Sequence, residues 1–167
     1  ICIDAAYVYA NLGWQMTPAN GKKPYLRGWQ KTASTQENKI KVWFQKKHNI
    51  ALVMGQRSGV VALDIDPRNG GEHSIKCLEE SLGALPSTVT ARTGGGGKHL
   101  LFRWFPEGKN STPLPGVDFQ YQNKVIIACP SIHPDTGAMY EWEISPLDCT
   151  LATLPDAWIQ YLSEEER

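Results

Sequence analysis

The sequence predicts an α+β fold in which helices flank a mostly antiparallel sheet. Short runs of β-branched and apolar residues recur between turn-forming residues, which is the pattern of hairpin-linked strands. Segments with helical spacing of apolar residues lie near both ends of the chain and only occasionally between strands. Helices that bracket many short strands are typical of an α+β domain.

Local spacing and turn residues predict each element. Apolar residues recur at helical intervals from Ile3 to Ala10, and Gly13 is a natural helix stop. A second helix presents Ile40, Trp43 and Phe44 on one face. The remaining elements are strands at residues 14–18, 50–54, 60–65, 89–93, 99–104, 117–121, 124–128 and 140–144, and helices at 74–82 and 155–162.

Three connections are predicted to be hairpin turns because they are short and contain Gly or Asn. They lie at residues 55–59, 94–98 and 122–123. The longer stretches 20–29 and 106–115 are rich in turn formers and are predicted to be loops.

Length and composition indicate one globular domain. A chain of 167 residues, 41% of them hydrophobic, can bury a sizeable core. We expect an N-terminal α/β lobe at about residues 1–55, packed on a core at about 56–150, with a C-terminal helix at 155–163. The chain begins with Ile rather than Met, so we expect it to be part of a larger protein.

Other features argue against a membrane or secreted protein. The apolar runs are too short to span a bilayer, and the first residues lack the basic start of a signal peptide. The four cysteines are scattered and form no Cys-x-x-Cys pair, which argues against a structural zinc site. We therefore expect reduced thiols and a cytoplasmic location.

The net charge is zero, but the charges are unevenly distributed. Residues 1–50 hold eight Lys and Arg against two acids, and residues 141–167 hold seven acids against one Arg. The basic end can attract a polyanion, or its charges can simply form a solvated helix face. In the 20–29 loop, cations and an aromatic ring are candidates for nucleic-acid contact: Lys22, Lys23, Arg27 and Trp29.

Two aspartates end the apolar strand at residues 60–65. Because side chains alternate along a strand, Asp64 and Asp66 project to one side while Leu63 and Ile65 project to the other. Two positions along a strand advance roughly 6.5 Å, so both carboxylates can reach one divalent cation or a pair of them. The alternative is that these acids cap the following turn.

A run of four glycines joins two predicted strands. So many glycines let backbone amides approach an anion closely, and neighbouring side chains would add donors. The candidate phosphate contacts here are Arg92, Gly96, Gly97, Lys98 and His99. The run does not match a Walker loop, because Lys98 is followed by His rather than Ser or Thr. A plain flexible hairpin is the alternative.

The second half of the chain offers further candidates. Asp118 lies between apolar residues on a predicted strand and can supply a third carboxylate for a two-cation site. Ser131 and His133 lie on a loop after the next strand, where each can donate to a phosphate or a sugar hydroxyl. No Gly-x-Ser-x-Gly elbow surrounds the serine, so a hydrolase is not indicated. A structural loop and a ligand-binding loop both remain open.

The order of these features resembles the bifunctional primase-polymerase (prim-pol) branch of the archaeo-eukaryotic primase superfamily. The matching sequence runs from Asp64-x-Asp66, through the glycine turn into Lys98-His99, to Val117-Asp118 and Pro130-Ser131-x-His133. The N-terminal Gly13-Trp14, Lys23-Pro24 and Gly28-Trp29 agree with it, so the resemblance spans roughly residues 5–143.

The resemblance implies a primase-like catalytic core built on an RRM-like sheet. Asp64, Asp66 and Asp118 would hold two Mg²⁺ or Mn²⁺ ions, and His99 would contact the triphosphate of the incoming nucleotide. Relatives often carry Ser two residues before that histidine, where this chain has Gly97, so a backbone amide is expected to replace the hydroxyl. Weaker candidates for nucleotide contact are Lys124, Ser131 and His133.

The predicted function is a template-dependent DNA primase and DNA polymerase that makes primers and extends them. Its implied partners are a single-stranded DNA template, a primer and ribo- or deoxynucleoside triphosphates. The resemblance further implies a helicase or primer-initiation domain elsewhere in the protein and a prokaryotic, plasmid or phage replication context. Two alternatives are a catalytically silent single-strand-binding module and a metal-dependent nuclease.

Overall fold

The computed structural model describes residues 2–164, which form two antiparallel sheets and five α-helices. The helices are α1 (Cys2–Asn11), α2 (Trp29–Thr32), α3 (Glu37–Phe44), α4 (Gly71–Leu82) and α5 (Asp156–Ser163). The strands are β1 (Met16–Asn20), β2 (Lys23–Pro24), β3 (Asn49–Met54), β4 (Val60–Ile65), β5 (Val89–Arg92), β6 (Lys98–Arg103), β7 (Ser111–Leu114), β8 (Val117–Gln120), β9 (Lys124–Ala128) and β10 (Glu141–Ile144).

The predicted α+β class is confirmed, with two sheets in place of one. The first sheet has the strand order β2-β1-β3-β9, and the second has the order β10-β5-β6-β4-β8-β7. Within residues 2–164, no helix combines the length and the apolar character needed to cross a membrane.

Strand β4 lies at the centre of the second sheet and is buried on both faces. Val61 and Leu63 pack in one apolar cluster with Leu78 of α4 and Trp158 of α5. Alternate residues of the strand face the other way, into a cluster that contains α1, α3 and the first sheet. Burial of this kind fixes the register of β4, because a slip of one residue would exchange its two faces.

The register of β4 determines where its aspartates lie. Asp64 continues the row of Val60 and Ala62, on the side of the second sheet that faces the first sheet. A one-residue slip would place this carboxylate in the apolar cluster under α4 and α5, at a high desolvation cost. The predicted alternation of Asp64 and Leu63 is confirmed.

Two of the predicted hairpins are wrong. β3 and β4 belong to different sheets and share only the isolated bridge between Gly55 and Val60. β8 and β9 also belong to different sheets, because β9 pairs with β3 from Lys124 to Ala128. Both connections carry the chain from one sheet to the other, which short-range turn signals do not distinguish from a hairpin. The hairpin of β5 and β6 across the glycine run is confirmed.

Some short elements fall in predicted loops. β7 lies within the stretch 106–115, and β2 and most of α2 lie in or beside the stretch 20–29. β7 is an exposed edge strand that contains Pro113, so it lacks the alternation of apolar residues that signals a strand.

Candidate active site

Three strands of the second sheet place their polar side chains side by side. Asp64 on β4 is directly opposite His99 on β6 and directly opposite Asp118 on β8. Residues opposite each other on antiparallel strands share a face, with Cβ atoms roughly 4.5–5.5 Å apart. Asp66 follows in extended conformation, and its amide donates to the carbonyl of Gly116 at 2.7 Å.

These side chains line one cleft of about 200 Å³. Its walls come from both sheets, since β9 contributes Ile126 and Ile127. The cleft brings together predicted residues that are far apart in the sequence: Asp64, Asp66, Gly97, His99, Asp118 and His133. Lys22 of the β1–β2 connection also reaches it.

Each of the three acids has a nearby partner. Oδ2 of Asp64 lies 3.6 Å from Nε2 of His99. Oδ1 of Asp118 accepts a hydrogen bond of 2.6 Å from the hydroxyl of Thr112.

Asp66 uses both carboxylate oxygens on the turn that follows β4. Oδ1 accepts from the amide of Arg68 at 3.0 Å, and Oδ2 accepts from Nδ2 of Asn69 at 2.7 Å. The carboxylate thereby caps the short 3₁₀ helix at Pro67–Asn69. The turn-capping alternative is confirmed for Asp66, although its side chain also lines the cleft.

The donor chemistry of the cleft fits a hard divalent cation. Carboxylate oxygens are the ligands that Mg²⁺ and Mn²⁺ prefer, and three carboxylates line this one wall. In the part of the chain from Cys2 to Glu164, however, no three His, Cys, Asp or Glu side chains are arranged to hold a metal ion. Asp66 and Asp118 instead accept hydrogen bonds from neighbouring residues.

Packing explains the glycine run on the other side of His99. A Cβ on Gly97 would lie 2.4 Å from the carbonyl oxygen of Ile65, and a Cβ on Gly94 would lie 2.5 Å from the carbonyl oxygen of Ala138. Gly96 has φ +90°, which favours glycine. The turn is therefore closely packed rather than a loose hairpin.

A threonine hydroxyl lies where Gly97 lacks a side chain. Oγ1 of Thr93 is 3.3 Å from the ideal Cβ position of Gly97 and lines the cleft. The amide of Gly97 donates to this hydroxyl at 2.8 Å, so that amide is already engaged. Sequence reasoning expected a backbone amide to replace the missing serine; the structure places the hydroxyl of Thr93 beside this position.

His133 presents a fixed donor to the cleft. Its Nδ1 accepts from the backbone amides of Asp135 and Thr136 at 3.2 and 3.3 Å. The proton of the neutral ring is therefore on Nε2. That atom faces the glycine turn, 3.1 Å from the ideal Cβ position of Gly95.

Tyr140 stacks with both histidines of the cleft. Its ring centroid is 6.3 Å from that of His99 and 6.0 Å from that of His133, with interplanar angles of 23° and 24°. Burial, and then the nearby charges of Asp64 and Asp135, raise the pKa of Tyr140 to about 12. The phenol therefore stays protonated at physiological pH.

The family of the chain follows from a comparison with protein-family models. The model for Prim-Pol, the N-terminal domain of bifunctional DNA primase/polymerases, matches residues 6–157. The chain belongs to the Prim-Pol family. A search of curated proteins finds no match. Family membership implies a nucleotidyltransferase of the DNA primase/polymerase type, which acts on DNA and nucleotides.

Other predicted residues of this Prim-Pol domain lie outside the cleft. Lys98 neighbours His99 on β6, so strand alternation turns it to the opposite face, and its Nζ lies 3.3 Å from the carboxylate of Glu143. Ser131 is buried, and its hydroxyl accepts from the amide of Ile50 at 2.8 Å, which is a structural role. The other predicted residues that do not line the cleft are Lys23, Arg27, Trp29, Arg92, Gly96 and Lys124.

Three polar residues that line the cleft were not among the predicted site residues: Arg68, Thr93 and Tyr140. Arg68 lies in the turn that follows Asp66. A hydrogen-bond donor next to a strand that ends in acids is a feature from which the sequence could have indicated a site residue. The guanidinium Nη2 of Arg68 is 3.5 Å from the ideal Cβ position of Gly95. Tyr140 is brought to the cleft by the loop after β9.

Proposed function

We propose that this chain catalyses template-dependent nucleotidyl transfer, making DNA primers and extending them from nucleoside triphosphates. The observation that supports this proposal is one cleft that combines three carboxylates with a set of hydrogen-bond donors and cations. Carboxylates alone would serve many metal enzymes, whereas the adjoining donors suit a polyphosphate. The family match is consistent with this chemistry.

The triphosphate would lie against the donors beside the glycine turn. His99 and His133 would donate from their imidazole rings, and Thr93 would donate its hydroxyl proton, which has no acceptor among the described residues. Arg68 and Lys22 would add positive charge at the same cleft. Five such groups can both bind the phosphates and stabilise charge that develops on the departing pyrophosphate.

Asp64, Asp66 and Asp118 would hold the two Mg²⁺ or Mn²⁺ ions that the family implies. Bound there, such ions supply Lewis-acid stabilisation of phosphoryl oxygens and lower the pKa of an attacking hydroxyl. Asp66 would have to exchange turn hydrogen bonds for metal ligation, whereas the contact of Asp64 within residues 2–164 is the long one to His99.

The reaction joins the 3′-hydroxyl oxygen of a primer to the α-phosphorus of the nucleotide. The new phosphorus–oxygen bond forms as the bond to the pyrophosphate oxygen breaks, and the hydroxyl proton leaves to solvent or to a carboxylate. The residues of the cleft position the triphosphate and offset its charge, which are the main protein contributions to phosphoryl transfer.

The basic β1–β2 region would contact the template or the phosphates. Lys22 reaches the cleft, and Lys23 and Arg27 lie exposed beside it in sequence. Cations spaced along an exposed connection favour a nucleic-acid backbone. Neither the fold nor the family match supports the expected helicase partner, so the proposal is confined to the chemistry of this chain.

One assay separates this function from its alternatives. A 5′-labelled primer annealed to a template is incubated with the protein and Mn²⁺, with and without nucleoside triphosphates. The proposal predicts extension that requires triphosphates and follows the template. Shortening of the strand without triphosphates would instead indicate a nuclease, and binding with neither reaction would indicate a silent single-strand-binding module.

A further inference from the structure

A second polar cleft adjoins the first at Asp118. It has a volume of about 360 Å³ and extends over the exposed edge of the second sheet. Asp118 lines both clefts, so one carboxylate is accessible from two directions. The walls of this second cleft include the hydrophilic residues Ser111, Thr112, Gln120 and Lys124.

The two clefts follow one another across the strands. The order β5-β6-β4-β8-β7 places the glycine turn and His99 first, then Asp64, then Asp118, and last the edge strand. Thr112 on that edge strand donates to Asp118 at 2.6 Å and so joins the second cleft to the row of acids. Donors suited to phosphates therefore lie on one side of the carboxylates, and an open polar groove lies on the other.

We propose that the second cleft holds the 3′-terminal nucleotides of the primer. This inference rests on the proposed nucleotidyl transfer. In such a displacement the attacking oxygen and the leaving oxygen lie roughly in line on opposite sides of the phosphorus. With the pyrophosphate against His99 and the glycine turn, the 3′-hydroxyl must approach from the side of Asp118. The second cleft is the groove that opens there.

The chemistry of this groove suits a primer end better than a free triphosphate. Among the residues named above, Lys124 is the one with a positive charge, and it is exposed at the start of β9. One positive charge is enough to bind a single backbone phosphate. Ser111, Thr112 and Gln120 offer uncharged donors and acceptors of the kind that position sugars and phosphates without reading sequence. Lys124, which sequence reasoning assigned to the nucleotide, is thereby assigned to the primer.

The test compares two lysine substitutions that remove the same charge. Lys124→Gln removes the cation of the groove, and Lys76→Gln removes an exposed cation from α4, on the far side of the second sheet. Fluorescence anisotropy measures the Kd of a labelled primer–template over a series of salt concentrations. Steady-state extension measures the KM of the nucleotide separately.

The inference predicts that K124Q weakens primer–template binding roughly threefold to tenfold and lowers the slope of log K against log salt by about one. K76Q should change neither quantity, and both variants should keep the nucleotide KM of the wild-type protein. An equal loss in K76Q, or a raised nucleotide KM with unchanged primer–template affinity in K124Q, would overturn the inference.

A second variant tests the groove by filling it. Ser111 is exposed, so Ser111→Trp can occupy the groove without entering the core. This variant should reduce primer–template affinity at least about as much as K124Q does. The protein should still bind nucleoside triphosphate. An unchanged affinity for primer–template would overturn the inference. If the wild-type chain binds primer–template but incorporates no nucleotide, the proposed activity fails, and the anisotropy data still decide the groove.

Discussion

Nε2 of His99 lies 3.6 Å from Oδ2 of Asp64, across the pair of residues that joins β6 to β4. The other ring nitrogen, Nδ1, is buried and has no hydrogen-bond partner among residues 2–164. Buried polar groups in folded proteins are nearly always paired, with protein groups or with ordered water. His99 thus combines a long contact to an acid of the cleft with an unpaired buried nitrogen.

Replacing His99 should weaken nucleotide binding. His99→Ala would remove the proposed contact to the triphosphate. A charge-assisted hydrogen bond is worth roughly 1.5–3 kcal/mol, so the KM of the nucleoside triphosphate should rise at least about tenfold. His99→Gln keeps a donor and should recover part of the loss. Steady-state extension at saturating primer–template measures both, and an unchanged KM in H99A would contradict the assigned role.

The Thr93 hydroxyl should contribute to binding in the same way. Thr93→Val keeps the shape but loses the hydroxyl, and the KM of the triphosphate should rise by roughly twofold to tenfold, the value of one hydrogen bond. Thr93→Ser should behave as wild type. The assay is steady-state extension with varied nucleotide.

Thr136 provides the matched control for Thr93. Its hydroxyl donates to the carbonyl of Gly94 at 2.7 Å and so holds the same turn from an exposed position. Thr136→Val should leave the KM of the triphosphate nearly unchanged. If T136V raises that KM as much as T93V does, Thr93 acts only by holding the turn.

Restoring the expected serine at position 97 should harm the fold. A Cβ there would meet the carbonyl oxygen of Ile65 at 2.4 Å, so Gly97→Ser should lower the free energy of unfolding by about 1–3 kcal/mol. Gly95→Ser is the comparison, because its Cβ would come no closer than 3.1 Å, to Nε2 of His133. Urea denaturation should rank G97S below G95S; the reverse order would contradict the packing described for this turn.

Tyr140 should make stability depend on pH at the alkaline end. Its pKa is raised to about 12, so the folded state favours the neutral phenol. The stabilisation is fully present below the pKa of about 10 for an unfolded tyrosine and is lost as pH rises from there through about 12. The free energy of unfolding should fall less steeply with pH in Tyr140→Phe than in wild type over this range. Identical slopes would show that Tyr140 is not responsible.

Features encoded locally could be predicted from the sequence. The alternation of Asp64 with Leu63 follows from strand geometry, and the glycine run between β5 and β6 follows from turn chemistry. Asp118 could be predicted as a site residue only from its place in an ordered set of motifs. The structure adds that it lies directly opposite Asp64.

Features that depend on distant pairings could not be predicted. β9 follows a short turn, yet it pairs with β3 because its apolar residues fit the first sheet. Ser131 reads as a ligand residue in its loop, whereas the amide of Ile50, 81 positions away in the chain, occupies its hydroxyl. The same long-range packing brings Tyr140 to the cleft.

The proposed metal-dependent nucleotidyl transfer can be tested by template-directed extension of a labelled primer, comparing wild type with the double variant Asp64→Asn, Asp118→Asn. These changes leave Asp66, and hence its cap on the turn at Pro67–Asn69, in place, so loss of activity cannot be attributed to that turn. We predict that wild type extends the primer with Mg²⁺ or Mn²⁺ and that the variant, still folded by circular dichroism, is slower by at least about 100-fold. Extension by the variant at the wild-type rate would contradict the account.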